Sequence, residues 1–342
     1  MDLTLERVQM RFAQPLTTAY GVLHSREIVE VTLTGEDGRS GRGEAAPLEP
    51  YDGVSIERVL AALDAYRRAL ARPLAAGVTA LDACRAADDL PQALAAIDLA
   101  LWDLGGRRAG RAVCELLAAS PARTIAVNAS IGALEPAEAA AAAAAAVAAG
   151  YSCLKLKVGV GDDDARVAAV RAAVGPEPQL RLDANGAWSV EQAERALAQL
   201  SRHGLELVEE PVSGLQAASE LRARVPMRIA IDETAAQAGA LTARVADAVC
   251  LKISRCGGIS GLIAAATLVR ASGAEVYLAS TLDGPLGVAA AVHAAAALAS
   301  RGPVPPCGLA TLELFADLEN PLPAVAGEIA LPTAAGLGVE PL

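Results

Sequence analysis

Residues 151–164 read YSCLKLKVGVGDDD, and the reading of this stretch decides between two architectures. Cys153 to Val158 is an apolar run broken by two lysines, Lys155 and Lys157. Successive side chains of a strand point to opposite faces, so both ammonium groups share one face. The Gly159-Val160-Gly161 that follows has the form of the phosphate turn of a doubly wound sheet. Such a turn offers bare backbone N–H groups to a pyrophosphate, which Asp162, Asp163 and Asp164 would repel. Acidic residues are ordinary in a first helical turn, and the stretch reads as a plain strand-to-helix unit.

Working outward, the same unit recurs from about Thr124 to the end of the chain, with short apolar strands alternating with amphipathic helices. The strand candidates are TIAVNAS, CLKLKV, LRLDA, LELVEE, RIAID, AVCLKI, EVYLAS and a weaker CGLATLEL. Eight such strands close a barrel. Helices are expected between most of them, with a shorter one near QAGALTARVA. No long helix follows the last strand, only a Pro-rich tail. Before Thr124 the pattern differs. Residues 2–48 alternate as strands around an EDGRSG hairpin signal, with AQPLTTAYGVLHS as a loop, and residues 55–118 turn helical. The expected class is α/β, a barrel with an N-terminal α+β domain over residues 1–120, barrel units over 121–318, and a tail over 319–342 returning toward the first domain.

The 342 residues are 53% apolar and carry a formal charge of -11, from 29 basic and 40 acidic residues. That balance argues against nucleic acid or an anionic membrane as partner. Six cysteines without a C-x-x-C pair read as small apolar residues in a reducing cytoplasm. The first residues show no secretory pattern, and the alanine-rich AEAAAAAAAAVAAG is too short to span a bilayer. A homo-oligomer is compatible with this composition.

The chemistry gathers at the C-terminal ends of the barrel strands, where barrel enzymes place their active groups. The second strand ends in Lys155 and Lys157, the third in Asp183, the fourth in the pair Glu209 and Glu210, the fifth in Asp232 and the sixth in Lys252. Three convergent carboxylates ionise together only beside a cation, and hard oxygen donors suit Mg2+, or Mn2+ in its place. Lys157 and Lys252 then face each other across the ring. Lys155, as a neighbouring cation, together with desolvation, is expected to lower the pKa of Lys157 and make it a base. Metal plus lysine base suits abstraction of a proton α to a carboxylate, through an enediolate. Spacing alone does not choose between Glu209 and Glu210.

The ordered set GRGEAAPL, AAIDLALWDLGGRRAG, KLK, LDANGAW, VEEPV, IDET and LKISRCGGI resembles the enolase superfamily, in its muconate lactonizing enzyme subgroup. The resemblance implies a (β/α)7β barrel with a capping domain. It implies Asp183, Glu209 and Asp232 as metal ligands, Lys157 and Lys252 as acid/base residues, and Lys155 as a carboxylate partner. GEAAPLEPYDGVS and CGLAT resemble the o-succinylbenzoate synthases of menaquinone biosynthesis, which implies a syn-dehydrating lyase. The alternatives are a dipeptide epimerase, an N-succinylamino acid racemase and a muconate cycloisomerase. Dipeptide epimerases carry an Asp-x-Asp after the eighth strand, which PCGLATLELFADL lacks. A non-catalytic binding protein on the same scaffold is the distant alternative. The substrate is a small-molecule carboxylate in every catalytic case.

Further expectations attach to single residues. Asn185 and Glu233 adjoin the ligands, and Tyr20, with Leu16, belongs to the loop expected to cover the barrel mouth. His24 lies in the same loop, within expected reach of a substrate. Asp283, after the seventh strand, is either a partner of a catalytic lysine or a turn residue, with Ser280 beside it. His293 and His203 read as structural.

Overall fold

The alternation in residues 2–34 builds a long antiparallel hairpin, β1 (Asp2–Thr18) and β2 (Gly21–Thr34), which β3 (Ser40–Ala45) extends across the EDGRS turn. The computed structural model describes every residue except Asp317. The loop expected at AQPLTTAYGVLHS is instead hairpin, turning over only Ala19 and Tyr20. Its register breaks between Arg11 and Leu16, around Pro15, which has no N–H for the ladder. One face of this sheet carries helices α1 (Glu49–Asp52), α2 (Ile56–Leu70), α3 (Ala80–Ala87) and α4 (Pro91–Ala109), before the short α5 (Val113–Leu117). Leu3, Val29, Val31 and Leu33 pack there against Val59, Leu63, Tyr66 and Ile97.

The first barrel segment splits. β4 (Thr124–Ala126) joins an antiparallel sheet with β12 (Ala324–Val325) and β13 (Glu328–Ala330), and β5 (Ala129–Ile131) enters the barrel sheet. That sheet continues in chain order through β6 (Cys153–Lys157), β7 (Gln179–Asp183), β8 (Leu207–Glu209), β9 (Ile229–Ile231), β10 (Ala248–Leu251) and β11 (Glu275–Leu278), all parallel. Its outer helices are α6 (Pro136–Ala148), α7 (Asp163–Val174), α8 (Val190–Leu200), α9 (Leu215–Arg224), α10 (Ile259–Ala271) and α11 (Pro285–Ala299). The Asp162 carboxylate caps α7 by accepting from the Ala165 N–H, which is the reading given to GVGDDD.

Two further expectations change. CGLATLEL forms no strand among the described residues; Cys307 bridges to Val127 and Gly308 to Ala279, joining the two edges of the sheet by single parallel bridges. Cys307 and Gly308 donate to the Ala126 and Leu278 carbonyls, each at 2.8 Å, but beyond them the chain turns, with the Thr311 N–H donating to the Leu309 carbonyl at 2.9 Å, and Leu312–Leu314 is a 3-10 turn. Between β9 and β10 the described residues contain a 3-10 turn, Glu233–Ala236, and no α-helix. The last residues contact the amino-terminal half. Leu337 N–H donates to Asp103 at 2.8 Å, Leu342 N–H donates to Glu30 at 2.8 Å, and Gly336 bridges to Ala112.

The two halves are also tied at helix starts. The Glu44 carboxylate, from β3, accepts from the N–H groups of Gly284 at 2.7 Å and Leu286 at 3.1 Å, at the first turn of α11. A Cβ on Gly284 would lie 2.7 Å from Glu44 Oε2. Asp98, from α4, accepts the Ser260 N–H at 3.0 Å, at the first turn of α10. Gly258 sits there at φ 98°, where a Cβ would meet the Asp98 side chain at 2.5 Å. Both carboxylates occupy the favourable end of a helix dipole.

Candidate active site

Parallel pairing carries one side-chain parity across the barrel. Lys157 lies beside Asp183, and Asp183 beside Glu209. Glu209 pairs with Ala230, so Asp232, two residues on, keeps the same face. From the Ala230–Ala248 pair, Cys250 and Lys252 keep it too. The result is a row of charges at the strand ends, from Lys157 through Asp183, Glu209 and Asp232 to Lys252.

The contacts within the row are short. Lys155 Nζ lies 3.0 Å from Asp183 Oδ2 and 2.7 Å from Glu209 Oε1. Lys252 Nζ bonds Asp232 Oδ2 and lies 3.0 Å from Tyr51 Oη. The Tyr51 hydroxyl donates to Asp232 Oδ1 at 2.9 Å. Lys157 Nζ, by contrast, is buried with no hydrogen-bond partner among the described residues, as is Glu233 Oε2. Burial pushes the Lys157 ammonium below its usual pKa, with Lys155 adding to the effect and Asp183 opposing it. Of the two expected causes, burial outweighs Lys155. Burial also opposes charge on Lys155 and Lys252, but Asp183 and Glu209 hold Lys155 well above its usual value, and Asp232 does the same for Lys252. Burial raises the Glu209 carboxyl to about 7 against the pull of Lys155. Burial opposes charge on Asp183 as well, yet Lys155 and Lys157 bring its carboxyl below the usual range.

The donor set fits a hard divalent cation. Oxygens of Glu209 and Asp232 approach within 4.8 Å of each other and of Cys250 Sγ, and Asp183 joins Glu209 through the shared Lys155 ammonium. Burial pushes the Cys250 thiol well above its usual pKa, with Asp232 and Glu209 adding to it, so it stays a neutral neighbour. Glu210 faces elsewhere: it stands at φ 39° and accepts the Asp232 N–H at 2.7 Å and the Thr234 N–H at 3.0 Å. Of the two adjacent glutamates, Glu209 faces the cluster.

Around this row, Asn185 at φ 42° donates its amide to Glu233 Oε1 at 2.8 Å, and its N–H to Asp183 Oδ1 at 3.1 Å. Tyr20, at the hairpin tip, donates to the same Glu233 oxygen at 2.7 Å. His24 does not join them: it is exposed beside the register break, and among the described residues no hydrogen bond or ion pair links it to the row. The side chain points off a two-sided hairpin instead of hanging from a loop. Asp283 also stays apart. It is buried and accepts from the Thr281 N–H at 3.0 Å and hydroxyl at 2.8 Å, the turn-residue alternative, with Ser280 Oγ accepting the Asp283 N–H. No lysine contact is formed by Asp283 or Ser280 among the described residues. His293 is structural, accepting from the Cys114 N–H and bonding the Leu337 carbonyl.

With this geometry, comparison with known proteins is direct. Residues 1–118 match the N-terminal domain of the mandelate racemase/muconate lactonizing enzyme family, and residues 138–342 match the enolase C-terminal domain-like family. This chain belongs to the mandelate racemase/muconate lactonizing enzyme family of the enolase superfamily. An L-Ala-D/L-Glu epimerase from Clostridium acetobutylicum is 30% identical over 311 residues, 86% of each chain. An o-succinylbenzoate synthase from Thermobifida fusca is 40% identical over 215 residues, 60% of this chain and 65% of that one. The dipeptide epimerase of Enterococcus faecalis V583, solved with Mg and L-Leu-L-Tyr, superposes with a TM-score of 0.88 at 27% identity, covering 99% of both chains. Like these relatives, the family member described here is an enzyme.

Three further residues of this family member border the row and were not read from the sequence. Tyr51 lies between Lys252, 4.4 Å from its ring centroid, and Arg255, at 4.9 Å. Arg255 donates to the Tyr51 hydroxyl at 2.8 Å. Tyr277 donates to Glu209 Oε2 at 2.6 Å. Tyr277 is the one with a local signal: it pairs with Cys250, on the parity that leads to Lys252, and it is the lone polar ring in an apolar strand. Tyr51 has none, because its partners lie 181 and 201 residues away.

Proposed function

We propose that the protein removes a proton α to the carboxylate of a small-molecule substrate, and that the lead reaction is the syn-dehydration of o-succinylbenzoate synthase. In this reading Asp183, Glu209 and Asp232 hold Mg2+, which Mn2+ can replace. The cation, when bound, supplies positive charge against the negative charge that develops on the substrate carboxylate. The single supporting observation is the inequality of the two flanking amines. Lys157 Nζ is buried without a partner among the described residues, while Lys252 Nζ is engaged by Asp232 and Tyr51. An unengaged Nζ at one end and a pinned ammonium at the other suit one-base chemistry. Lys157 takes the α-proton and returns it to the departing hydroxyl on the same face, releasing water, while the Lys252 charge stabilises the enediolate. Lys155 orients Asp183 and Glu209 and lends charge to the substrate carboxylate.

A second reading, 1,1-proton transfer as in dipeptide epimerases or N-succinylamino acid racemases, draws support from the near full-length similarity to dipeptide epimerases. It requires Lys252 to leave Asp232 and act as the second acid. Muconate cycloisomerase chemistry would use the same residues. The architecture that goes with all of these is a (β/α)7β barrel closed through Cys307–Gly308, with a capping domain over 1–120, barrel over 121–318 and tail over 319–342. Among the described residues no helix is long and apolar enough to cross a membrane, and a cytoplasmic location accompanies the reading.

The deciding assay is run with Mg2+. Loss of water from the cyclohexadiene precursor, abolished by Lys157→Ala, supports dehydration. α-Proton exchange with deuterated solvent for dipeptides or N-succinylamino acids, without elimination, supports the second reading. Full turnover of Lys157→Ala would refute the role of Lys157 in both.

A further inference from the structure

Arg26 lies on β2, opposite Met10 in the hairpin, and is buried. Its guanidinium donates to four backbone carbonyls, two from each half of the molecule. Nη1 reaches Pro47 at 2.7 Å and Nη2 reaches Ala46 at 3.2 Å, both just after β3. Nη2 also reaches Thr281 at 3.3 Å, and Nε reaches Leu282 at 3.3 Å, in the connection after β11. A planar fork of five N–H groups can serve all four, whereas a lysine ammonium has three donors at a single point. Burial works against the Arg26 charge, and the nearby Asp283, Asp52 and Glu44 work for it.

The connection that Arg26 grips is not relaxed on its own. Leu282 stands at φ 62°, a left-handed conformation that a leucine keeps only where its surroundings impose it. The Thr281 hydroxyl gives its one proton to Asp283 Oδ1 at 2.8 Å. The Ser254 hydroxyl, 3.0 Å from Thr281 Oγ1, is therefore the donor in the bond between them. Ser254 and Thr281 are 2% and 3% exposed, so water does not replace that bond. Ser254 lies two residues after Lys252, in the turn where the Cys256 N–H donates to the Lys252 carbonyl at 3.0 Å. A chain of buried bonds thus runs from β2 through Thr281 to the backbone that carries Lys252. We propose that Arg26 is a positioning residue, which fixes the connection after β11 and, through Thr281 and Ser254, the turn that sets the place of the Lys252 ammonium in the row. The inference rests on the role given to Lys252 above. Lysine in place of Arg26 keeps a cation near Asp283 and Glu44 but lacks the fork, which frees Thr281 and Leu282 to relax and leaves the Lys252 turn without a fixed neighbour.

The test is a double-variant cycle on the full-length protein with Mg2+, using Arg26→Lys, Ser254→Ala and the two together. kcat and KM are measured for water loss from the cyclohexadiene precursor or, where the wild type exchanges without eliminating, for α-proton exchange of dipeptides or N-succinylamino acids in deuterated solvent. Lys252 serves in both. Melts followed by circular dichroism report the folded fraction, and sucrose, which favours the compact state, is added so that rates are read on folded protein. Each single variant should lower kcat about 10- to 100-fold, the scale of a reacting group misplaced from a distance. KM should stay within about 3-fold, because neither residue touches substrate. The double variant should be no slower than the slower single one, because both changes cut one chain. A folded Arg26→Lys with wild-type kcat overturns the inference, and so do losses that multiply in the double variant, the result for two independent contacts. An Arg26→Lys that stays unfolded even in sucrose marks a purely structural clamp and overturns it as well. A wild type that carries out neither reaction overturns the reading of Lys252 along with it.

Discussion

Lys155 bridges two of the three carboxylates, Asp183 and Glu209, and replacing it with methionine isolates its charge. Methionine retains an unbranched apolar stem, so the packing lost is small. What goes is an ammonium 3.0 Å from Asp183 and 2.7 Å from Glu209, whose side chains are 14% and 0% exposed. Removing one partner of a buried pair leaves uncompensated charge and costs about 3–5 kcal/mol, a large part of the ~5–15 kcal/mol that holds a domain folded. The variant should therefore unfold at markedly lower urea concentration in chelator. A divalent cation at the same carboxylates would replace the missing charge, and at 100 times its dissociation constant mass action alone adds about 2.7 kcal/mol. Mg2+ should then stabilise Lys155→Met more than wild type. The pH dependence has a definite sign. Burial already raises Glu209 to about 7 in the presence of Lys155, and loss of that charge raises it further. A carboxyl raised above its unfolded value stabilises most at low pH and loses that contribution as pH rises through the raised value. In chelator the variant should regain stability on acidification below about pH 7. Urea unfolding followed by circular dichroism, with chelator and with saturating Mg2+, decides the matter. Equal stability of the two proteins in chelator, or an equal Mg2+ increment, would refute the argument.

Other outcomes follow from the same geometry. Tyr51→Phe removes a hydroxyl that meets Asp232, Lys252 and Arg255; steady-state kinetics should show kcat reduced about 10- to 100-fold, the scale of one charge-assisted hydrogen bond, with melting temperature little changed. Arg181→Met strands the Glu206 carboxylate at the inner end of the barrel and should cost about 3–5 kcal/mol in denaturant titrations. Glu44 is fully buried, and burial, with Asp283 adding to it, raises its carboxyl to about 8. Its contribution is present below the ordinary carboxylate range and is lost as pH climbs through about 8. Wild-type stability should fall between roughly pH 5 and 9 and the slope should flatten in Glu44→Gln, as read from urea midpoints at successive pH values.

The charged row was legible because two regularities combine. Period-two alternation puts Lys155 and Lys157 on one face, and in-register parallel pairing carries that face through Asp183 and Glu209. The choice of Glu209 over Glu210 was not legible from spacing, because it depends on the backbone turning to φ 39° at Glu210. The contacts of His24 and Asp283 were not legible for a related reason: both depend on how a connection folds, one in a hairpin read as a loop, the other in a turn closed on Thr281. The eighth strand shortens to single bridges at Cys307 and Gly308 because the chain turns over Leu309–Thr311, which the apolar pattern of CGLATLEL does not announce. Tyr51 and Tyr20 reach Asp232 and Glu233 across 181 and 213 residues, and no local pattern encodes such a meeting.

The carboxylates of Glu44 and Asp98 have a consequence for any attempt to mix parts between relatives. The helices that begin at Pro285 and Ile259 each lack an acceptor of their own at the first turn and borrow it from the amino-terminal half. A chimera that grafts a foreign amino-terminal half to alter substrate choice would leave the starts of α10 and α11 frayed unless the incoming half presents an acidic residue at both places. Transplants should therefore carry those two anchors with them.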